Sequence, residues 1–210
     1  MNKILSLKKH GTSYNRFLIF GNSGSGKSIL IQHIIMKNLP ILDYVFILTS
    51  TNDLADYQHL RKNKKILFLD FNEENINKTM LILKSGKLKN GVCVMDDMIV
   101  AKSKRSRIQD CIDNLLYNSR HFCNVILSTQ NLIFFDPWQR NNFSTVILKY
   151  CKYHGIDQFY RNYIQENNRR DWIENLRKEW QANKYMSVLI DSDDKLYKFA
   201  IKLKPSPKQK

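Results

Sequence analysis

An eight-residue segment near the amino terminus has the residue types and the spacing of a phosphate-binding loop. It follows the pattern GxxxxGK[ST] and consists of Gly21, Asn22, Ser23, Gly24, Ser25, Gly26, Lys27 and Ser28. Glycines let backbone N–H groups converge on the β- and γ-phosphates, and a helix predicted to begin at Ser28 adds the positive end of its dipole. Lys27 would contact the same phosphate oxygens, and the Ser28 hydroxyl would coordinate Mg²⁺. The segment therefore predicts binding of ATP together with Mg²⁺.

A pair of acids, Asp96 and Asp97, directly follows an apolar run at residues 92–95. A buried strand that ends there would deliver both carboxylates to the carboxyl edge of a parallel sheet, where the ligands of such sheets bind. We expect Asp96 to hold Mg²⁺, and Asp97 to orient and deprotonate an attacking water. The alternative is that the two acids only cap the segment that follows them.

Two polar side chains flank the next apolar run, at residues 125–127. Gln130 follows this run, at a strand end from which an amide can touch both the γ-phosphate and the attacking water. Arg120 precedes the run. It would either complete the active site of a neighbouring subunit or pair with an acid of its own chain, such as Asp113.

These side chains need a scaffold, and the hydropathy pattern predicts one. Apolar runs suited to strands buried on both faces occur at residues 17–20, 44–48, 66–69, 92–95, 125–127 and 145–148. Segments with the apolar spacing of a covering helix occur at residues 28–38, 53–60, 73–83 and 106–117. This alternation predicts an α/β domain with right-handed crossovers.

The pattern changes after Tyr150. Residues 156–178 have helical spacing with an interruption near 167–168, and residues 185–190 and 196–201 read as a β-hairpin around a polar loop. We expect a single domain over residues 1–203, with a core at about 14–152 and an extension of helix and hairpin at 153–203. Residues 204–210 form a basic tail that is expected to be flexible.

The composition indicates a polyanionic partner. The formal net charge of +15 favours nucleic acid first and an anionic membrane second, although solubility alone would also account for it. No apolar run approaches the roughly 20 residues of a membrane helix, and the apolar stretch near the start is too short for a signal peptide. We therefore expect a protein without membrane insertion that is not secreted. The four cysteines lack the spacing of a zinc site and are expected to be reduced and buried: Cys93, Cys111, Cys123 and Cys151.

Three segments are candidates for contact with DNA. Residues 101–107 carry four basic side chains that would hold phosphates without reading sequence, namely Lys102, Lys104, Arg105 and Arg107. A solvated loop is the alternative for this segment. The aromatic residues of 131–142 are expected to pack on a neighbouring subunit or the capsid rather than on bases. The basic cluster on 169–178 is expected to be a solvated face.

Together, three strings resemble the poxvirus-type genome-packaging ATPases. These strings are GNSGSGKS, VCVMDDM and NSRHFCNVILSTQN, with Pro137 and Asn142 further on, and the likeness covers residues 16–150. That family belongs to the FtsK/HerA branch of P-loop motors and is used by large DNA viruses, virophages and related elements. The resemblance implies a RecA-like fold whose mostly parallel central sheet is flanked by helices and extended by a C-terminal hairpin. It also implies that the strand before Gln130 lies between the phosphate-loop strand and the strand before Asp96.

The resemblance further implies an ATP-hydrolysing motor that moves double-stranded DNA into a capsid. It would form a homo-oligomeric ring of five or six subunits, dock on a capsid or portal-vertex protein, and be found in the virion or a cytoplasmic viral factory. Asp97 stands where cellular members carry Glu, Gln130 matches the sensor of the family, and Arg120 matches its arginine position. The alternatives are a cellular-type DNA translocase, a nucleotide kinase, for which no Arg-rich lid is visible, and an assembly protein that binds ATP without hydrolysis.

Overall fold

The computed structural model describes residues 5–8, 13–50, 57–98, 105–132, 135–164 and 168–201. Within these residues eight strands form one sheet: β1 Arg16–Phe20, β2 Tyr44–Thr49, β3 Ile66–Asp70, β4 Gly91–Asp96, β5 Cys123–Thr129, β6 Thr145–Leu148, β7 Met186–Asp191 and β8 Leu196–Ala200. The helices of the described part are α1 Lys27–Asn38, α2 Glu73–Lys84, α3 Arg105–Asn118, the single turn α4 Pro137–Arg140, α5 Tyr153–Tyr163 and α6 Arg169–Ala182.

The strand order determines which chain segments meet. The order across the sheet is β3-β2-β4-β5-β1-β6-β7-β8. The first six strands in this order are parallel, whereas β7 pairs antiparallel with both β6 and β8. Because parallel strands end at the same edge of a sheet, the segments after β1, β4, β5 and β6 all meet at the carboxyl edge. The implied position of β5 between β1 and β4 is confirmed.

Hydrophobic side chains cover both faces of the sheet. One cluster joins the sheet to α2, α3, α5 and α6, with Leu83, Leu115 and Phe159 fully buried. The other joins it to α1 and to the segment around Leu5. The four cysteines are buried free thiols, as expected. None of the described helices is long and apolar enough to cross a membrane.

Most predicted elements are confirmed, with ends that move by a few residues. The helical segment 156–178 is divided into α5 and α6, and β7 and β8 form the expected hairpin extension. The helix predicted at 53–60 is not seen where the chain is described. Residues 51–56 lie outside the description, and the chain from Tyr57 to Asn63 forms turns closed by the bonds from Leu60 N to Tyr57 O and from Asn63 N to Leu60 O. The predicted tail, residues 204–210, also lies outside the described residues.

Candidate nucleotide-binding site

The phosphate loop joins β1 to α1 and turns at two glycines. Gly24 and Gly26 have φ angles of 68° and 84°, in the left-handed region that side chains with a Cβ rarely adopt. A Cβ on Gly24 would meet nothing within 4 Å, so the outer side of the turn is open. Gly26 directly precedes α1, whose first N–H groups have no partner within the helix. The loop therefore presents free backbone donors beside open space, as a phosphate site requires.

Neighbouring strand ends hold this loop in place. The backbone N–H of Gly21 donates to Thr129 O over 3.2 Å, and that of Asn22 donates to Tyr150 O over 3.1 Å. Lys27 is 6% exposed, and its ammonium donates to the carbonyls of Gly21 and Asn22, each over 3.0 Å. The hydroxyl oxygen of Ser25 is buried without a hydrogen-bond partner. The loop thus holds a buried cation and an unpaired hydroxyl, and both groups suit a phosphate oxygen.

Electrostatics link Lys27 to the acid pair. Burial lowers the pKa of Lys27, and the charges of Asp97 and Asp96 raise it, in that order of size. The ammonium therefore lies near both carboxylates, although these stand at the end of β4, two positions from β1 in the sheet. The phosphate loop and the acid pair are parts of one site.

The two aspartates have different surroundings. Asp96 is the last residue of β4, is 3% exposed, and accepts hydrogen bonds from the Tyr57 hydroxyl at 2.7 Å and from the Ser128 hydroxyl. Asp97 is more exposed and has a φ of 50°, which is uncommon for a residue with a side chain. Its backbone N–H donates to Ser128 Oγ over 2.8 Å. Ser128 therefore binds both aspartates and fixes their relative position.

Gln130 completes the group. Its Nε2 donates to a carboxylate oxygen of Asp97 over 2.8 Å, so the amide that follows β5 contacts the acid that follows β4. With this assignment of the amide, Oε1 of Gln130 stays available as an acceptor. A carboxylate and an amide oxygen facing the same space can orient a water molecule for attack on a phosphate. The structure thus brings Asp96, Asp97 and Gln130 together at the carboxyl edge of the sheet.

The residues present fit a magnesium ion bound with a nucleotide. Mg²⁺ prefers hard oxygen ligands and is usually held by one or two protein groups, waters and phosphates. Ser28, in the first turn of α1, and Asp96 offer a hydroxyl and a carboxylate of this kind. The part of the chain that is described has no cluster of three or more His, Cys, Asp or Glu side chains suited to a metal. Ser28 and Asp96 therefore suit a Mg²⁺ ion whose other ligands are nucleotide phosphates and waters.

The sequence did not reveal the roles of Tyr57 and Ser128. Ser128 had a detectable signal, since it lies between an apolar run and Gln130 and could have been read as a partner of the acid pair. Tyr57 had none, because it belongs to a segment that was predicted to be helical. Tyr57 lies in the turns after β2, and these bring its hydroxyl to Asp96.

Arg120 lies at the opposite edge of the sheet from the phosphate loop. It precedes β5, its carbonyl accepts from Tyr14 N over 3.2 Å, and its Nε donates to His121 Nε2 over 3.0 Å. The seven residues of β5 separate it from Gln130, a span of roughly 23 Å at the usual rise of a strand. Arg120 therefore does not reach the phosphate loop of its own chain.

The alternative pairing of Arg120 with Asp113 is not found among the described residues. The carboxylate of Asp113 accepts instead from the amide of Gln139. The guanidinium of Arg120 lies 5.8 Å from the ring centroid of the exposed Tyr117. These contacts leave it on the surface.

Only part of the proposed DNA-contacting segment can be placed. Lys102 and Lys104 lie outside the described residues, Arg105 begins α3, and Arg107 is exposed in the first turn of that helix. Of the aromatic residues in 131–142, Phe135 packs inside its own chain and not on a neighbouring subunit or the capsid. It is 1% exposed and contacts the Phe143 ring edge-on, at 5.3 Å between centroids.

Comparisons with known proteins agree with this geometry. No protein-family model and no curated protein matches the sequence. Among solved structures, the genome packaging NTPase B204 of Sulfolobus turreted icosahedral virus 2, in complex with AMPPCP, superposes with a TM-score of 0.62 at 16% identity. The superposition covers 90% of this chain and 98% of B204. The chain has a P-loop ATPase fold.

The same fold occurs within longer proteins. The cytoplasmic domain of the type VII secretion ATPase EccC of Thermomonospora curvata has a TM-score of 0.63 at 10% identity, with 93% of this chain and 26% of that one covered. EssC of Geobacillus thermodenitrificans, solved as its ATPases 2 and 3, has a TM-score of 0.58 at 13% identity, with coverages of 73% and 35%. The RecA-like P-loop architecture that the sequence predicted is thus confirmed. Unlike these two proteins, B204 is matched over almost its full length.

Proposed function

We propose that this P-loop ATPase hydrolyses ATP to translocate double-stranded DNA into a viral capsid. One observation carries the proposal. Because β5 lies between β1 and β4, the Gln130 amide contacts Asp97 over 2.8 Å in the same site as Lys27. This arrangement provides a phosphate cradle, an acid pair and a polar sensor. The likeness in fold to a viral packaging NTPase over nearly all of that protein supports the choice of motor.

Each side chain has a distinct task in the proposed hydrolysis. The amides of the phosphate loop and the ammonium of Lys27 would bind the β- and γ-phosphates, so that charge developing on the γ-phosphoryl group is stabilised. Ser28 and Asp96 would hold Mg²⁺, which neutralises phosphate charge when it is bound. Asp97 would orient the attacking water and accept its proton, and Gln130 would keep the carboxylate of Asp97 in position.

The charge of the chain supports DNA as the partner. A net charge of +15 attracts a polyanion without selecting a sequence, as a packaging motor requires. We further propose a homo-oligomeric ring of five or six subunits that encircles the duplex and docks on a capsid or portal-vertex protein. Its place of action would then be the virion or a viral factory.

The decisive experiment measures ATP hydrolysis by an oligomer of known mass, with and without long duplex DNA. We expect DNA to stimulate the rate in wild-type protein, and Lys27→Ala to abolish hydrolysis in both conditions while the fold persists. An ATP hydrolysis rate that is the same with and without DNA would contradict a DNA-translocating motor. Phosphoryl transfer to a nucleoside monophosphate would indicate a kinase, and nucleotide binding without turnover would indicate an assembly protein.

A second measurement separates packaging from a cellular-type translocase. Packaging requires that the ring binds the capsid proteins of its own virus, so ATPase and empty capsids should sediment together. A DNA-stimulated ATPase that leaves such capsids unbound would favour the cellular-type alternative.

A further inference from the structure

Lys149 is a buried cation beside the phosphate loop, and the proposed hydrolysis does not use it. It directly follows β6, the neighbour of β1, so its backbone leaves the sheet next to the loop. Its side chain is 3% exposed and its backbone N–H donates to Phe20 O over 2.7 Å. The ammonium donates to Tyr185 O and to Ser187 Oγ, each over 3.0 Å. Both acceptors belong to the start of the β7–β8 hairpin.

The Lys149 side chain also lies against the first and the last glycine of the phosphate-loop motif, Gly21 and Gly26. A Cβ placed on Gly21 would come within 2.7 Å of Lys149 Cβ, closer than real atoms approach. A Cβ placed on Gly26 would lie 3.8 Å from Cε and 3.9 Å from Nζ of Lys149. The methylene chain of Lys149 therefore runs along the loop, and its ammonium joins the loop to the hairpin.

The charge of Lys149 is not neutralised in the described part of the chain, where it forms no ion pair. On the hairpin side its ammonium donates to the carbonyl of Tyr185, whose ring centroid lies 5.3 Å from the ammonium of Lys184. Burial alone lowers the pKa of Lys149 to about 8. A buried ammonium without a counter-charge is unfavourable, and an apolar side chain of similar volume would be at least as stable there. Its presence is explained if an anion reaches the loop.

We propose that Lys149 is a positioning residue that fixes the phosphate loop to the β7–β8 hairpin, with the phosphates of a bound nucleotide as its counter-charge. The inference rests on the proposed nucleotide binding and assigns a further residue to that site. Because the loop and the hairpin share one side chain, binding of nucleotide would also reduce the motion of the hairpin.

The test compares nucleotide affinity in Lys149→Met and Lys152→Met. Methionine preserves the length and the apolar contacts of the side chain but removes the charge and both hydrogen bonds. Lys152 is exposed on the same segment and serves as the control for loss of one positive charge. With a fluorescent ATP analogue at pH 7, we expect Lys149→Met to bind about tenfold more weakly, since a charge-assisted contact is lost. Lys152→Met should bind like wild type.

A pH series separates this role from simple packing. If bound phosphates stabilise the protonated amine, wild-type affinity should fall about five- to tenfold between pH 7 and pH 9, because free Lys149 loses its proton near pH 8 and must regain it on binding. The decrease should be smaller in Lys149→Met, which retains Lys27. An equal fall in nucleotide affinity in wild type and Lys149→Met would show that the charge of Lys149 does not contribute to binding.

Ser187→Ala keeps the test valid if Lys149→Met fails to fold. It removes one acceptor of the ammonium and leaves the charge in place. We expect weaker binding by a fewfold, together with faster hydrogen exchange of the β7 amides in the nucleotide-bound protein. Wild-type binding and exchange in Ser187→Ala would refute the link between loop and hairpin. If Ser187→Ala behaved like wild type while Lys27→Ala lost nucleotide binding, the role of Lys149 would be refuted and the proposed function would still stand.

Discussion

The acids at the end of β4 differ in burial, hydrogen bonding and backbone conformation, so their roles can be separated by mutation. Asp97→Asn preserves the shape of the side chain, and Asn tolerates a φ of 50° well. We expect this variant to bind Mg·ATP normally and to hydrolyse it about 10²- to 10⁴-fold more slowly, because a general base is lost.

Asp96→Asn should behave differently. It removes charge from the proposed metal position and leaves Asp97 and Gln130 unchanged, so the Mg²⁺ concentration for half-maximal rate should rise. Titration of Mg²⁺ against rate for both variants measures the difference. If Asp97→Asn shifted the Mg²⁺ dependence and Asp96→Asn did not, the two roles would be exchanged.

Tyr57→Phe tests a contact that the sequence did not reveal. The variant keeps the buried ring and removes only the hydroxyl that donates to Asp96 over 2.7 Å. We expect a loss of about 1.5–3 kcal/mol in the free energy of unfolding, the usual effect of removing a hydrogen bond to a charged group. We also expect a change in the Mg²⁺ dependence, since Asp96 is less restrained. Chemical denaturation and the same Mg²⁺ titration provide the measurements, and unchanged values in both would contradict this positioning role.

The elements that carry the site were largely predictable, because their signal is local. Each buried parallel strand is a short apolar run. The acid pair directly follows one of these runs, and Gln130 lies three residues after the next. The start of α1 was also predictable, because the motif places a helix directly after its last glycine, Gly26. The strand order came from the family resemblance, since hydropathy does not determine which strands are neighbours.

What the sequence did not predict depends on distant contacts. The bond between Tyr57 and Asp96 spans 39 residues, and the bonds of Lys149 to the hairpin span 36 and 38 residues. No periodicity encodes such pairs. The left-handed backbone of Asp97 is also imposed by its surroundings, because its N–H must reach Ser128 Oγ.

The link between β6 and β7 gives a prediction at the scale of these elements. Burial lowers the pKa of Lys149 to about 8 in the folded protein, whereas the unfolded chain keeps its proton up to about pH 10.4. Between these values the unfolded state binds more protons, so the stability of wild type should rise with pH relative to Lys149→Met. The expected gain from pH 7.5 to pH 9.5 is about 2 kcal/mol. Urea denaturation of both proteins at the two pH values measures it, and a constant difference in stability would show that the ammonium is not destabilised by burial.

At the scale of the whole molecule, the charge predicts how duplex DNA binds. Affinity should be independent of sequence and should fall steeply with salt, with a slope of about −0.9 in log K against log salt for each phosphate contacted. Replacing Lys102, Lys104 and Arg105 by Ala should reduce the slope by up to about 0.9 for each residue that contacts a phosphate. The exposed Arg177 and Lys178 of α6 provide the matched control when both are replaced by Ala. An unchanged slope in the first variant would assign residues 101–107 to the solvated surface.

The position of Arg120 leads to a prediction about the ring. Arg120 lies on the surface at the amino edge of the sheet, and the length of β5 separates it from the phosphate loop of its own chain. If it contributes to hydrolysis directly, it must act on the nucleotide of a neighbouring subunit. An arginine supplied in this way can increase the rate of phosphoryl transfer by 10³–10⁵. It would also make ATP hydrolysis in one subunit depend on the position of Arg120 in the next subunit.

Mixed rings test this directly. Arg120→Ala subunits keep an intact phosphate loop, and Lys27→Ala subunits keep an intact arginine. Each variant alone should be inactive, but a mixed ring contains interfaces where an intact loop faces an intact Arg120, so part of the ATPase activity should return. A role of Arg120 within its own chain predicts only the sum of two inactive proteins. Absence of recovery, in oligomers whose mixed composition is verified by mass, would therefore exclude action across the subunit boundary.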